Sequence, residues 1–122
     1  MADKTIILPE LSYKIMGALF SVHTELGSSL LEKYYQRAVA KEFDKQGLVY
    51  KNEPIGKYFL DFVIEEKIIL ETKAQVAYSP KFFKQTLAYL KETGLPLAIL
   101  VNFRRPRLEY KRIINNSSYI RD

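Results

Sequence analysis

At 122 residues, 48% of them hydrophobic and 27% charged, the chain has the size and composition of one globular domain with a modest core. It contains no cysteine, which excludes disulfide frameworks, thiolate zinc sites, iron–sulfur clusters and cysteine nucleophiles, and its single histidine excludes two-histidine metal motifs. Nineteen Lys and Arg against fourteen Asp and Glu leave a formal charge of +5, which permits a polyanionic partner without requiring one.

Leu11, Ile15, Ala18, Leu19, Val22 and Leu26 recur at three- and four-residue spacing, so a first amphipathic helix is predicted over about 10–26, stopped by Gly27. A second helix follows, with Leu31, Tyr34, Tyr35, Ala38, Val39 and Phe43 on its buried side and Gly47 at its end. A short strand from Leu48 to Tyr50 precedes a break at Pro54 and Gly56, and two aromatic and β-branched runs, Tyr58 to Ile64 and Ile68 to Ala74, form a hairpin around Glu65-Glu66-Lys67. Ser79-Pro80 starts a third helix, with Phe82, Phe83, Thr86, Leu87 and Leu90 as its buried face and Thr93-Gly94 as its end. Leu97 to Phe103 reads as a strand covered on both faces, Leu108 to Ile114 as a last strand, and Asn115 to Ser118 as a frayed end.

The order is ααβββαββ, an α/β or α+β arrangement of a mixed sheet flanked by helices. No repeat, low-complexity stretch or interior linker divides the chain, so 1–122 reads as a single domain with its core at about 10–114. None of the apolar runs approaches the roughly 18 to 20 residues of a membrane span, and Met1-Ala2-Asp3-Lys4 does not open a secretory leader, so the expected address is the cytoplasm. A short hairpin that leaves an edge strand open also raises the expectation of a homodimer paired edge to edge.

The hairpin carries the chemistry. Period-two alternation puts Phe59, Asp61 and Val63 on one face of its first strand and Ile69, Glu71 and Lys73 on one face of its second. A three-residue loop pairs Ile64 with Ile68, and counting back sets Asp61 opposite Glu71, with Cβ atoms about 4.5–5.5 Å apart. Like charges so placed need compensation, and Mg²⁺ or Mn²⁺ is the natural one: two carboxylates and the main-chain carbonyl of Thr72 are hard oxygen ligands. Lys73 would bring an ammonium to the same spot, where it can activate a water or neutralise charge on a phosphate. Spacing alone equally allows an Asp61–Lys73 ion pair at a sheet edge with Glu71 in solvent, and a one-residue slip would separate the two acids.

Asp61, nine residues, then Glu71-Thr72-Lys73 resembles the D…ExK signature of the PD-(D/E)xK nuclease superfamily. Val22-His23-Thr24-Glu25-Leu26-Gly27 followed by Leu30-Leu31-Glu32-Lys33-Tyr34-Tyr35 is similar to the core of the GxxExxY protein family, whose name pattern falls on Ser29, Glu32 and Tyr35, with serine in place of the glycine. Gln85 and Tyr89 match the QxxxY motif of the exonuclease-like branch, and Gly94-Leu95 through Val101-Asn102-Phe103 is similar to the family's last core strand. One departure is the stretch after Pro54, where only Ile55-Gly56-Lys57 stands in place of a longer hairpin. The resemblance implies a restriction-endonuclease-like core, Mg²⁺ or Mn²⁺ on Asp61 and Glu71 with Glu32 as a further acidic ligand, and Lys73 as the catalytic lysine. It also implies Gln85 and Tyr89 orienting that lysine or touching DNA. The implied activity is metal-dependent hydrolysis of phosphodiester bonds in nucleic acid, with DNA the expected substrate. The alternative is a noncatalytic module that keeps the fold and binds nucleic acid or protein.

Each remaining residue has a plainer reading beside the functional one. Ser29 to Glu32 fits a capping box, with Glu32 at the third helical position reaching back to the Ser29 amide. His23 fits a half-buried, hydrogen-bonded core histidine. Tyr34 and Tyr35 fit core positions, with Tyr35 able to donate a hydrogen bond into the site. Gln85 and Tyr89 fit an exposed helix face away from Phe83, Leu87 and Leu90. Arg104, Arg105, Arg107, Lys111 and Arg112, with Lys81, Lys84 and Lys91, fit solvated surface or phosphate-positioning charge, Lys84, Arg104 and Arg105 being the nucleic-acid contacts expected first.

Overall fold

The apolar stripe of the first helix folds as α1 (Pro9–Leu26), with Ile15, Ala18, Leu19 and Val22 buried and Gly27 closing it at φ 78°, its amide donating to the His23 carbonyl. The structure, a computed structural model, describes residues 8–55, 58–77 and 79–115. After α1 come α2 (Glu32–Gln46), β1 (Tyr50–Ile55), β2 (Tyr58–Ile64), β3 (Ile68–Lys73), α3 (Pro80–Thr93), β4 (Leu97–Asn102) and β5 (Glu109–Ile114), the ααβββαββ order expected. Gly56 and residues 116–118, to which a chain break and a frayed end were assigned, lie outside the described residues.

The strands form one mixed sheet in the order β1-β2-β3-β4-β5, parallel only between β3 and β4. A parallel pair needs a crossover, and α3 supplies it. Helices α1 and α2 cover one face, packing Leu19, Val39 and Phe43 against Phe62, Leu70 and Ile99, while Tyr89 and Leu90 of α3 cover the other against Val63, Ile69 and Leu100. With helices on both faces, β4 is buried throughout, which accounts for its unbroken apolar sequence.

Three expectations are corrected. The first strand is Tyr50–Ile55, not Leu48–Tyr50; Pro54 lies inside it because β1 is an edge strand, where a missing amide donor is tolerated. Asn115 is not frayed: it is buried, and its side-chain amide donates to the carbonyls of Leu90 at 2.9 Å and Leu95 at 2.8 Å, closing the end of α3. Helix α2 starts at Glu32 with Leu31 as an uncapped N-cap, so the Ser29–Glu32 capping box does not form, and Leu31 and Tyr34 are exposed rather than core.

What replaces the box is Tyr35. Its ring is fully buried and stacks on Phe103 at 4.5 Å between centroids, and its hydroxyl donates to the Gly27 carbonyl at 2.6 Å and accepts from the Leu30 amide at 3.3 Å. The hydroxyl therefore ties the α1–α2 connection instead of reaching the acidic residues. Tyr35→Phe is expected to lower the unfolding free energy in urea by about 1–2 kcal/mol, since two backbone groups lose a partner; an unchanged midpoint would show that water replaces the hydroxyl.

Candidate active site

The Glu65–Lys67 loop sets the hairpin register as counted from sequence: Ile64 pairs with Ile68, Val63 with Ile69 and Phe62 with Leu70. There the ladder stops, and the acids meet by another route than direct ladder pairing. Glu71 Oε2 accepts the Asp61 amide at 3.0 Å, while Asp61 Oδ2 accepts the Thr72 amide at 2.8 Å and the Thr72 hydroxyl at 3.1 Å. Each carboxylate thus uses one oxygen to satisfy the partner strand's backbone where the strands part. Oδ1 of Asp61 and Oε1 of Glu71 take no part in this exchange.

A bulge explains the change. Between the pairs Lys51↔Val63 and Glu53↔Leu60, β1 has one residue and β2 has two, Asp61 and Phe62. Alternation therefore shifts: Leu60 joins Val63 on the α3 side, and Asp61 no longer shares a face with Val63 as expected. Its carboxylate lies instead against Thr72 and, through Gln36, against α2. Asn52 of β1 donates from its side chain to the Asp61 carbonyl, holding the bulge from the other side.

Helix α2 supplies the third acid. Because the helix begins at Glu32, this side chain turns to the end of β3, where it accepts the Ala74 amide. Gln36, one turn later on the same helix face, donates to Glu32 at 3.3 Å and to the Thr72 hydroxyl at 3.0 Å, and lies near enough to the Asp61 carboxylate to favour its charged form. Sequence reading missed Gln36, although its i+4 spacing from Glu32 was the available signal. Lys73 is half-buried, its ammonium 4.7 Å from the centre of the Phe82 ring at the start of α3 and close enough to Asp61, Glu71 and Glu32 to favour the charged form of each. Phe82 was assigned only to the core; its cation–π contact adds a second role.

Burial sets the electrostatics. Glu71 is 3% exposed, which rules out the reading that leaves it in solvent. Loss of water, with the Asp61 charge adding to it, pushes the Glu71 carboxyl up to about 8. Burial also raises Asp61, partly offset by its bonds from Thr72, and raises Glu32. Two buried acids that resist ionising together form a site short of positive charge, and their all-oxygen donor set suits a hard divalent cation. Among the described residues no three His, Cys, Asp or Glu side chains gather closely enough to hold an ion by themselves. Two carboxylates nevertheless suffice for Mg²⁺, which commonly keeps water and substrate oxygens as its other ligands.

Asn102 is a second residue the sequence reading passed over. It is 1% exposed, its Oδ1 accepts the amides of Gln75 at 3.0 Å and Arg104 at 3.2 Å, and its Nδ2 donates to the Gln75 carbonyl at 2.9 Å. Beside it the Phe103 amide donates to the Lys73 carbonyl at 2.9 Å, so the end of β4 fixes the chain just after Lys73. Its signal was a lone polar residue in an apolar run.

The other expected residues are spread around this centre. His23 is half-buried and its Nε2 donates to the Arg105 carbonyl at 2.8 Å, as the core reading had it. Arg105 is exposed and donates to the Val76 carbonyl at 3.2 Å, beside the connection that leaves β3; Arg104 is exposed next to it. On α3, Lys84 is exposed and Gln85 half-buried, but Tyr89 is 4% exposed and packs with Leu90 on the sheet, which corrects its placement on an exposed face. Arg112 donates to the buried Ser12 hydroxyl at 3.1 Å and so ties β5 to α1. None of the described helices is long and apolar enough to cross a membrane.

A mixed sheet with two helices on one face and one on the other, and an Asp/Glu pair with a lysine where two of its strands part, define a restriction-endonuclease-like protein. The family profile of the PD-(D/E)XK nuclease superfamily matches residues 9–113, and the chain belongs to that superfamily. No match to the chain was found among curated proteins or among solved structures.

Proposed function

We propose that the protein is a metal-dependent nuclease of the GxxExxY group that hydrolyses phosphodiester bonds in nucleic acid, DNA foremost. The observation that carries this reading is the exchange of Asp61 and Glu71 across the parting strands, with Lys73 alongside and superfamily membership behind it. Asp61 and Glu71 would hold Mg²⁺ or Mn²⁺, with the Thr72 carbonyl as a further oxygen donor and Glu32 too far off to be a third direct carboxylate ligand. When bound, the ion neutralises the two carboxylates and polarises the scissile phosphate.

The protein's own groups do the rest. Lys73, steadied over Phe82, presents its ammonium to the attacking water or to the phosphate as charge builds on it. Gln36 holds Asp61, Thr72 and Glu32 in one arrangement, and Asn102 fixes the chain beyond Lys73. Lys84, Gln85, Arg104 and Arg105 supply contacts to the phosphate backbone, while Tyr89 keeps α3, and Gln85 with it, seated on the sheet.

Incubation with single- and double-stranded DNA and RNA in millimolar Mg²⁺ or Mn²⁺, beside an EDTA control and Lys73→Ala, tests the reading. Cleavage that requires the cation and falls by about 10²–10⁴-fold in Lys73→Ala is expected. Equal turnover by both proteins, or none by either, overturns it.

A further inference from the structure

A cavity of about 360 Å³ opens beside Asp61, between α2 and strands β1 and β2, and of its lining the mechanism above uses only Asp61 and Gln36. Its volume lies in the about 300–1,000 Å³ range of small-molecule sites. Lys33 and Arg37 line it from α2, Asn52 from β1 and Phe59 from β2, while Gln36 and Asp61 join it to the acidic centre. Lys33, Arg37 and Asn52 are exposed, and Phe59 is 60% exposed although it is a large apolar side chain. The two cations are braced by one ring, that of Tyr34, at 5.4 Å from Lys33 Nζ and 5.5 Å from the Arg37 guanidinium carbon.

A solvent-facing aromatic in a concave, cationic groove is what binds a flat base together with its phosphates. In a duplex the faces of the bases are covered by their neighbours, so only an unpaired base could lie on Phe59. We infer that this groove binds a single-stranded segment of nucleic acid, stacking a base next to the reacting phosphate on Phe59 and holding the adjoining phosphates with Lys33 and Arg37. This rests on the nuclease reading for its substrate, but not for its test.

Binding of short fluorescein-labelled single strands, DNA and RNA, and of the matching DNA duplex is measured by anisotropy in EDTA, so that no turnover is needed. Phe59→Ala is expected to weaken single-strand binding by about tenfold, Phe59→Trp to restore it and Phe59→Leu not to. Duplex binding should change by less than about twofold, because its bases do not reach this ring. Lys33→Ser with Arg37→Ser should reduce the slope of log K against log salt by about 1.4, at roughly 0.7 per phosphate contact on a single strand. Single-strand affinity that ignores Phe59, or a duplex that loses as much as the single strand, overturns the inference. This binding pattern without any cleavage would sink the nuclease reading and leave the groove standing; cleavage without the pattern would do the reverse.

Discussion

Glu71→Gln should make the protein more stable while abolishing metal-dependent cleavage, and the gain in stability should grow with pH. The Glu71 carboxyl titrates near 8 in the folded chain against an ordinary value of 4.5, because burial and the Asp61 charge oppose its ionisation. Between those two values the folded state holds a proton that the unfolded state has released, so folding weakens as pH rises through that window. The slope is about 1.4 kcal/mol per pH unit across that window, and the loss is complete above pH 8. Glutamine keeps an oxygen for the Asp61 amide and removes the charge, so urea unfolding of wild type and variant should nearly agree at pH 4.5 and diverge steadily up to pH 8. Saturating Mn²⁺ should return the lost stability at pH 8 to the wild type and not to the variant, since binding to the folded state alone raises its stability. Parallel pH profiles for the two proteins would show that Glu71 is as free to ionise in the folded chain as in the unfolded one.

That buried pair of acids was readable from the chain only in part. The hairpin register followed from the three residues between Ile64 and Ile68, and it brought Asp61 and Glu71 together on paper because turn length fixes strand pairing. The bulge left no mark in the sequence: Asp61-Phe62 reads as ordinary alternation, and only the partner strand shows two residues facing one. The start of α2 was misplaced for a different reason. Ser29 and Glu32 satisfy a local capping rule, but the Tyr35 hydroxyl takes up the Gly27 carbonyl and the Leu30 amide while its ring stacks on distant Phe103, and this packing outweighs the local pattern. The later start is what turns Glu32 to the Ala74 amide. Tyr89 was misjudged because spacing gives a helix face and not what covers it; the ring belongs to the layer between α3 and the sheet.

Asn102→Ala is expected to lose both stability and turnover, and the two losses have one cause. Asn102 pairs with Lys73 across the parallel strands, and its side chain serves both the amide and the carbonyl of Gln75 as well as the Arg104 amide. Alanine leaves these half-buried backbone groups without their partner, at a cost of about 1–3 kcal/mol. The chain released is the one that holds Glu32 by the Ala74 amide and Arg105 by the Val76 carbonyl. With Lys73 no longer fixed from its C-terminal side, kcat should fall by about tenfold or more while KM changes little, because positioning of the reacting groups is lost and the phosphate-binding surface is kept. Asn102→Asp separates packing from bonding. It retains the acceptor for Gln75 and Arg104 but sets a carboxylate against the Gln75 carbonyl and near Glu109, so it should be less stable than wild type at pH 7 and recover at pH 4, where the new carboxyl is protonated. An alanine variant within about 0.5 kcal/mol of wild type, or one with normal turnover, would show that the end of β3 holds its place without this clamp.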